Sequence, residues 1–192
     1  MRAMFRSLRT KLFRTPRDVA GRAGTQGFLR REDGAAAVEF ALVAAPFLGL
    51  LFAIIETAFV FFAGQSLEYA VSQAGRLIMT GQADTAGYNK TTFKNAVCAN
   101  MTALFDCANK LYIDVENYTK FSNASTTPPY ANGQLDTSKM DYQPGTPGDV
   151  VVVSFYYQWP IYVSLLSNNL SNQNGSNRLL VATSVFRNEP FK

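Results

Sequence analysis

The chain has 192 residues, which allows one ordinary domain with extensions, because globular domains usually contain about 100–150 residues. It contains no histidine, which excludes His-based triads, His general bases and zinc sites with His ligands. The net charge of +4 is unevenly placed, because residues 1–34 carry +6 and the remaining residues sum to −2, so no basic folded face indicates a nucleic-acid partner.

The N-terminal segment predicts a basic leader on the cytoplasmic side of a membrane. Between Met4 and Phe13, apolar residues recur at helical spacing among Arg and Lys, as in an amphipathic helix that lies on a membrane surface. Lys and Arg beside an apolar run are retained on the cytoplasmic side. We therefore interpret residues 1–34 as a cytoplasmic leader.

A long apolar segment follows the leader. Residues 40–55 contain no charged side chain, and the apolar character resumes after Glu56 as far as Ala63. A helix over this length would extend about 36 Å, enough to cross a hydrocarbon core of about 30 Å. The apolar core of a secretory signal peptide is shorter, about 7–15 residues. We therefore predict a transmembrane helix over residues 35–64.

The helical pattern continues beyond this span. Apolar residues recur at intervals of three or four up to Ile78. We expect one helix from about Ala35 to Met79, with its outer half serving as the spine of a folded domain. Gly81 and Gly87 bracket its expected end.

Both cysteines, Cys98 and Cys107, lie on the far side of the apolar run from the leader, where an oxidising compartment favours a disulfide. Two unpaired thiols buried as small apolar groups are the alternative. Along one unbroken helix this separation spans about 13 Å, whereas a disulfide requires about 4.4–6.8 Å between Cα atoms. A disulfide here therefore requires a turn. The apolar face over residues 93–110 predicts one or two short helices around the pair.

The C-terminal part of the chain predicts three strands. Apolar residues alternate over residues 111–116, as in a half-buried strand. Residues 119–148 are rich in Asn, Ser, Thr, Pro and Gly and predict a long exposed loop. Residues 150–163 predict a long strand, interrupted by Pro160 or placed by it at a sheet edge, with its aromatic residues as core and interface.

A second Asn/Ser/Gly-rich turn at residues 167–177 precedes the last predicted strand, residues 178–186. The order of elements predicts an α+β fold. In it, a long N-terminal membrane-spanning helix continues as the spine of a domain with short helices and an antiparallel sheet of about three strands. We assign residues 65–192 to this extracytoplasmic domain.

The junction between leader and helix carries the functional signal. The charged leader stops at Gly34, and Glu39 places a carboxylate near the start of an otherwise apolar helix, where an ionised group usually has a partner or a function. Cleavage between Gly34 and Ala35 would create an α-amine at the first helical position, and helix N-termini favour negative charge. The α-amine of a neighbouring subunit would then be a counter-ion for Glu39.

Gly34, Glu39 and Phe40 resemble a class III prepilin signal, which a dedicated prepilin peptidase cuts after the glycine, leaving glutamate fifth and an aromatic residue sixth in the mature chain. The run that begins Ala41-Leu42-Val43-Ala44-Ala45-Pro46 and reaches Glu56 resembles the TadE-like family, the pseudopilins of the tight-adherence (Tad/Flp) type IVb pilus system. The cysteine pair ahead of a strand and the closing residues 185–191 are also similar to members of that family. The specific resemblance covers about residues 34–64.

This resemblance implies a pseudopilin or minor pilin that primes or caps assembly of a fibre, after maturation by a prepilin peptidase. It implies a single-pass protein of the bacterial inner membrane with a cytoplasmic N-terminus and a periplasmic or extracellular C-terminal domain. The implied partners are other pilins and pseudopilins, the pilus assembly platform, the peptidase and membrane lipid. We expect no cofactor, no metal and no nucleic-acid partner.

Two alternatives stay open from the residues. Glu56 either makes a second intersubunit contact or extends its carboxylate to the outer membrane surface. The second alternative concerns the whole chain: it is not cleaved and is a single-span membrane protein whose external domain binds a ligand or partner. We do not expect an enzyme, because no constellation that would activate a nucleophile is visible.

Overall fold

The computed structural model describes residues 32–161, 172–173 and 177–191. The chain divides into two compact units, residues 1–45 and residues 46–192, and each is described by itself. The predicted leader lies outside the described residues except for its last three positions. Most of the predicted turn at 167–177, and the end of the strand predicted to reach Val163, also lie outside them.

The first element, α1, is a helix over Glu32–Met79. From Gly34 onward it is long and apolar enough to cross a membrane, and its most apolar window is almost wholly exposed. The helix predicted from about Ala35 to Met79 is therefore confirmed, and Glu32 is its first described residue. It ends where Gly81 adopts a φ of +75°, a left-handed conformation that glycine tolerates best.

Three short helices follow: α2 over Gln82–Thr85, α3 over Lys90–Asn100 and α4 over Cys107–Lys110. The pattern over residues 93–110 predicted one or two short helices, and the structure contains two. The sequence did not predict α2. A reciprocal cap begins α3, because the Asn89 side chain accepts from the Thr92 backbone and the Thr92 hydroxyl accepts from the Asn89 backbone.

A three-stranded antiparallel sheet forms from β1 (Leu111–Tyr118), β4 (Val150–Pro160) and β5 (Asn177–Arg187), in the order β1-β4-β5. These three strands and their antiparallel arrangement confirm the predicted fold class. The central strand β4 ends with Pro160. The pairing with β1 stops at Tyr157, so Pro160 pairs only with β5 and its missing N–H breaks no bond to β1.

The core lies between α1, α3 and one face of the sheet. Alternate residues of β4 from Val151 to Trp159 face this core, together with Leu111, Ile113 and Val115 of β1. One line of buried side chains on α1, three or four residues apart, forms what we call the buried stripe: Ala53, Glu56, Val60, Ala63, Leu67, Val71, Ala74 and Ile78. The predicted packing of the sheet on the helical spine is thus confirmed.

The segment over residues 119–148 differs from the exposed loop that was predicted. It contains a small hairpin of β2 (Tyr130–Ala131) and β3 (Gln134–Leu135), and it buries Leu135 and Met140 against the outer face of the sheet. The prediction was wrong here because the polar composition of the segment concealed two isolated apolar anchors. The hairpin did have a sequence signal: Asn132-Gly133, which both take positive φ, form the favoured two-residue turn.

The C-terminal residues fasten the sheet to the end of α1. The backbone N–H of Glu189 donates to the carbonyl of Met79 at 2.9 Å, and the Phe191 ring packs where a Cβ on Gly81 would lie. The buried Asn188 donates from Nδ2 to the carbonyls of Pro144 at 2.9 Å and Thr146 at 3.2 Å. These bonds join the end of the chain to both α1 and the loop before β4.

Candidate functional site

The residues of the prepilin-like signal lie in the first two turns of α1. Gly34, Ala35, Glu39 and Phe40 are all exposed in this single chain. A Cβ added to Gly34 would meet no other atom within 4 Å, so no packing contact holds this glycine. A glycine inside a helix lowers its stability by about 1 kcal/mol relative to alanine. The Gly34–Ala35 bond thus lies within α1, between two exposed residues.

The carboxylate of Glu39 is surrounded by apolar side chains that are also exposed. Val38, Phe40, Leu42 and Val43 all project from the helix without packing on other residues of the described chain. Glu39 has no hydrogen bond or ion pair with any residue in the ranges that the structure describes. Exposed apolar surface of this kind is suited to contact with lipid or with a neighbouring helix. In either environment the Glu39 carboxylate would need a cationic partner.

Glu56 is placed differently. It belongs to the second unit and sits in the buried stripe, where it is only 7% exposed. It is not without an interaction partner. Neither of the two arrangements considered from the sequence included burial by the chain's own domain. Spacing alone carried a signal, because Glu56 falls three residues after Ala53 and four before Val60, on the same helix face.

Cys98 and Cys107 form a disulfide with 5.7 Å between their Cα atoms. The chain turns between them, because α3 ends at Asn100 and α4 begins only at Cys107. We call residues 99–106 the disulfide loop. The structure describes no free cysteine.

Aromatic contacts hold the disulfide loop against the sheet. The rings of Phe105 and Tyr157 meet edge to face with centroids 4.9 Å apart, and Trp159 lies 6.2 Å from Phe105. The backbone N–H of Asp106 donates to the Tyr157 hydroxyl at 3.0 Å. The predicted core role of these β4 aromatics is confirmed, because Phe155, Tyr156, Tyr157 and Trp159 are buried, whereas Tyr162 lies outside the described residues.

A cavity of about 460 Å³ separates this loop from α1, and we call it the basal groove. Helix α1 forms one wall, and the disulfide loop, α4 and the end of β4 form the other. The groove is lined by Phe52, Ile55, Glu56, Phe59, Leu104, Asp106, Lys110, Tyr157, Trp159 and Pro160. Its walls are therefore mainly apolar, with one lysine and two carboxylic acid side chains.

Lys94 on α3 fastens the other side of the disulfide loop. Its ammonium donates to the Ala108 carbonyl at 2.8 Å. Burial lowers the pKa of Lys94, and the nearby Asp106 carboxylate opposes that shift. This bond supports α4 without using the carboxylate of Asp106, which instead accepts from the backbone and side chain of Asn109.

The face of the sheet that points away from α1 carries the acidic residues Asp114 and Glu116. Burial raises the pKa of Asp114, and a hydrogen bond from the backbone N–H of Asp141, at 2.8 Å, partly offsets the rise. Glu116 accepts a hydrogen bond from the Tyr118 hydroxyl. Within residues 32–161, 172–173 and 177–191, no group of three or more His, Cys, Asp or Glu side chains could hold a metal ion.

Comparison with known proteins gives one match. The family model described as TadE-like protein matches residues 34–76. No curated protein and no solved structure matches the chain. The matched segment begins at the predicted cleavage glycine and runs through most of α1. TadE-like proteins are associated with the Tad pilus and are not known as enzymes. The helical segment over residues 34–76 is thus TadE-like, which relates this chain to the Tad pilus system.

Proposed function

We propose that the protein is a pseudopilin or minor pilin that takes part in assembly of a Tad/Flp-type pilus. The observation that carries this proposal is where the family match begins. The TadE-like match starts at Gly34, the glycine of the prepilin-like signal, and continues along the apolar helix α1. In this proposal a prepilin peptidase cuts between Gly34 and Ala35.

Cleavage would change both the charge and the chemistry of the helix start. It removes the +6 leader, which otherwise holds the N-terminus in the cytoplasm. It also creates an α-amine, and Glu39 then offers the carboxylate that pairs with the α-amine of a neighbouring subunit. Phe40 is exposed beside it and supplies apolar contact between packed helices. We propose Glu56 as a second assembly residue that acts indirectly, by fixing the folded domain on α1.

The proposed location is the bacterial inner membrane, with the N-terminus in the cytoplasm and the folded domain outside. The long exposed apolar helix supports an anchor there, because water disfavours so much apolar surface. The proposed partners are other pilins, the assembly platform, the prepilin peptidase and surrounding lipid.

N-terminal sequencing and intact mass of the protein from its native membrane would test the cleavage directly. A mature chain that starts at Ala35 only in cells containing the peptidase is the expected result. An intact Met1 in both strains would contradict the proposal. It would favour an uncleaved single-span protein whose external domain binds a ligand or partner.

Glu39→Ala tests the assembly step separately. We expect the variant to be cleaved and to enter the membrane, but to co-purify with its pilin partners at least tenfold less, because the amine of the neighbour loses its counter-ion. Glu68→Ala is the matched control, since Glu68 is also an exposed glutamate of α1. Equal co-purification of the two variants would remove Glu39 from the mechanism.

A further inference from the structure

The basal groove lies where α1 changes its surroundings. Residues 40–55 contain no charge, and Glu56 is the next ionisable residue along the helix. The buried stripe starts at nearly the same place, with Ala53. If the helix crosses a membrane as proposed above, the outer edge of the hydrocarbon falls near this turn. The end of the folded domain that borders the groove then faces the outer leaflet.

The helix wall of the groove continues the exposed apolar surface of α1. Phe52, Ile55 and Phe59 line the groove, and each still exposes a large part of its side chain. They follow at helical spacing from the exposed apolar residues that precede them, with no polar interruption. A molecule that covers the apolar helix is therefore in contact with the groove entrance.

The wall of the groove opposite α1 contains both apolar and charged side chains. Leu104, Trp159 and Pro160 face the cavity, and Trp side chains favour the boundary between lipid and water. Asp106 caps the start of α4 and Lys110 is its last residue, and the two lie one helical turn apart, because the Lys110 N–H donates to the Asp106 carbonyl at 3.0 Å. The rim thus offers one negative and one positive group side by side.

We propose that the basal groove binds a zwitterionic phospholipid of the outer leaflet. One acyl chain enters between Phe59 and Leu104, the lipid phosphate lies near Lys110, and the lipid ammonium lies near Asp106. The volume of about 460 Å³ falls within the usual range of ligand sites, about 300–1,000 Å³. This inference rests on the membrane anchor of the proposed function.

Trp159 provides the test, because it is the only tryptophan in the chain. Full-length protein is reconstituted in vesicles of phosphatidylethanolamine and phosphatidylglycerol, and its fluorescence is measured with and without dibrominated acyl chains. We expect brominated phosphatidylethanolamine to reduce Trp159 emission at least twofold. We expect the same bromine content on phosphatidylglycerol to reduce it less. Equal quenching by the two lipids would overturn the zwitterionic assignment.

A pair of variants separates occupation of the groove from general closeness to lipid. Leu104→Asp places a charge in the groove wall, and we expect it to abolish most of the quenching. Val185→Asp is the matched control, because Val185 on β5 is 39% exposed and Leu104 is 38% exposed. Unchanged thermal unfolding of both variants shows that they fold. Equal quenching in the two variants would overturn the groove assignment.

Flotation of the vesicles distinguishes the two levels of the argument. Protein that floats with the vesicles but shows no quenching contradicts the groove and leaves the anchor intact. Protein that does not float contradicts the anchor as well. A blue shift of Trp159 that depends on the protein-to-lipid ratio, without quenching by bromine, would assign the groove to a second copy of the chain.

Discussion

The two parts of α1 differ in surroundings and in composition, because the first contains one charged residue, whereas the second contains three together with several polar residues. Between Gly34 and Phe52 almost every side chain is exposed. From Ala53 to Ile78 the folded domain covers one face and leaves the others exposed. The difference shows that apolar content identifies a helix that avoids water, whereas only packing decides what replaces the water. The exposed apolar part would be covered by lipid or by other subunits, whereas the covered part already packs against the sheet.

The largest effect is expected for a deletion in the covered part. Leu67 is fully buried in the stripe, so Leu67→Ala should lower the free energy of unfolding of the domain by about 2–5 kcal/mol. Leu50→Ala removes the same atoms from the exposed part, and we expect a change within about 0.5 kcal/mol. Urea unfolding of reconstituted full-length protein measures both. Similar losses would mean that the two parts do not differ as described.

The disulfide tests the N-terminal end of the covered part of α1, where the disulfide loop borders the basal groove. Replacing both Cys98 and Cys107 with Ser should lower the free energy of unfolding by roughly 2–3 kcal/mol, because the unfolded chain regains the entropy of a short loop. Addition of a reductant to the native protein should give the same loss, measured by urea unfolding, and should leave the double variant unaffected. A reductant effect in the double variant would show that the loss has another cause.

Two glycines that follow the C-terminal end of α1, Gly81 and Gly87, test the other end of the covered part. Gly81→Ala combines a left-handed backbone with a clash against Phe191, whereas Gly87 has positive φ and open space around it. Gly87→Ala should cost about 1–2 kcal/mol from backbone strain, and Gly81→Ala should cost more. Thermal unfolding measures both. Equal losses would mean that the Phe191 contact contributes nothing to fastening the sheet on α1.

The smallest effect concerns the face of the sheet that α1 does not cover. The pKa of Asp114 is raised above its usual value of 3.8, so the folded domain binds that proton more tightly than the unfolded chain does. Asp114 therefore destabilises the domain at neutral pH. This destabilisation is relieved as the pH falls through the folded pKa, and the relief is complete below the unfolded pKa.

Asp114→Asn should accordingly be more stable than the wild type at pH 7, and the advantage should disappear below about pH 4. The amide oxygen can still accept the hydrogen bond from Asp141. Urea unfolding across this pH range measures the difference between the two proteins. Asp136 and Asp149, whose pKa values are lowered by hydrogen bonds, act in the opposite direction in both proteins and cancel in the comparison.

Several elements followed directly from local pattern. The alternation of Leu111, Ile113 and Val115 predicted both a strand and its buried face, because neighbouring side chains of a strand point to opposite sides. The hairpin at residues 130–135 was missed although Asn132-Gly133 is a strong turn signal, since a polar segment was judged by its composition. The burial of Leu135 and Met140 had no comparable signal, because isolated apolar residues have no period.

The candidate site also has one part that the sequence predicts and one part that it does not. Gly34, Glu39 and Phe40 form a contiguous sequence motif, and the TadE-like match begins at that glycine. The basal groove could not be predicted, because its walls come from α1, the disulfide loop and the end of β4. Residues as distant in sequence as Phe52 and Pro160 line it together.

Local sequence pattern was sufficient to predict the long apolar helix, the short helices α3 and α4, the three strands and the prepilin-like motif, because each depends on side chains that are close along the chain. Tertiary packing was needed to show that a polar segment covers the sheet and that a groove opens beside α1. These features depend on which distant surfaces meet, and the free energy of such contacts leaves no periodic trace in the sequence.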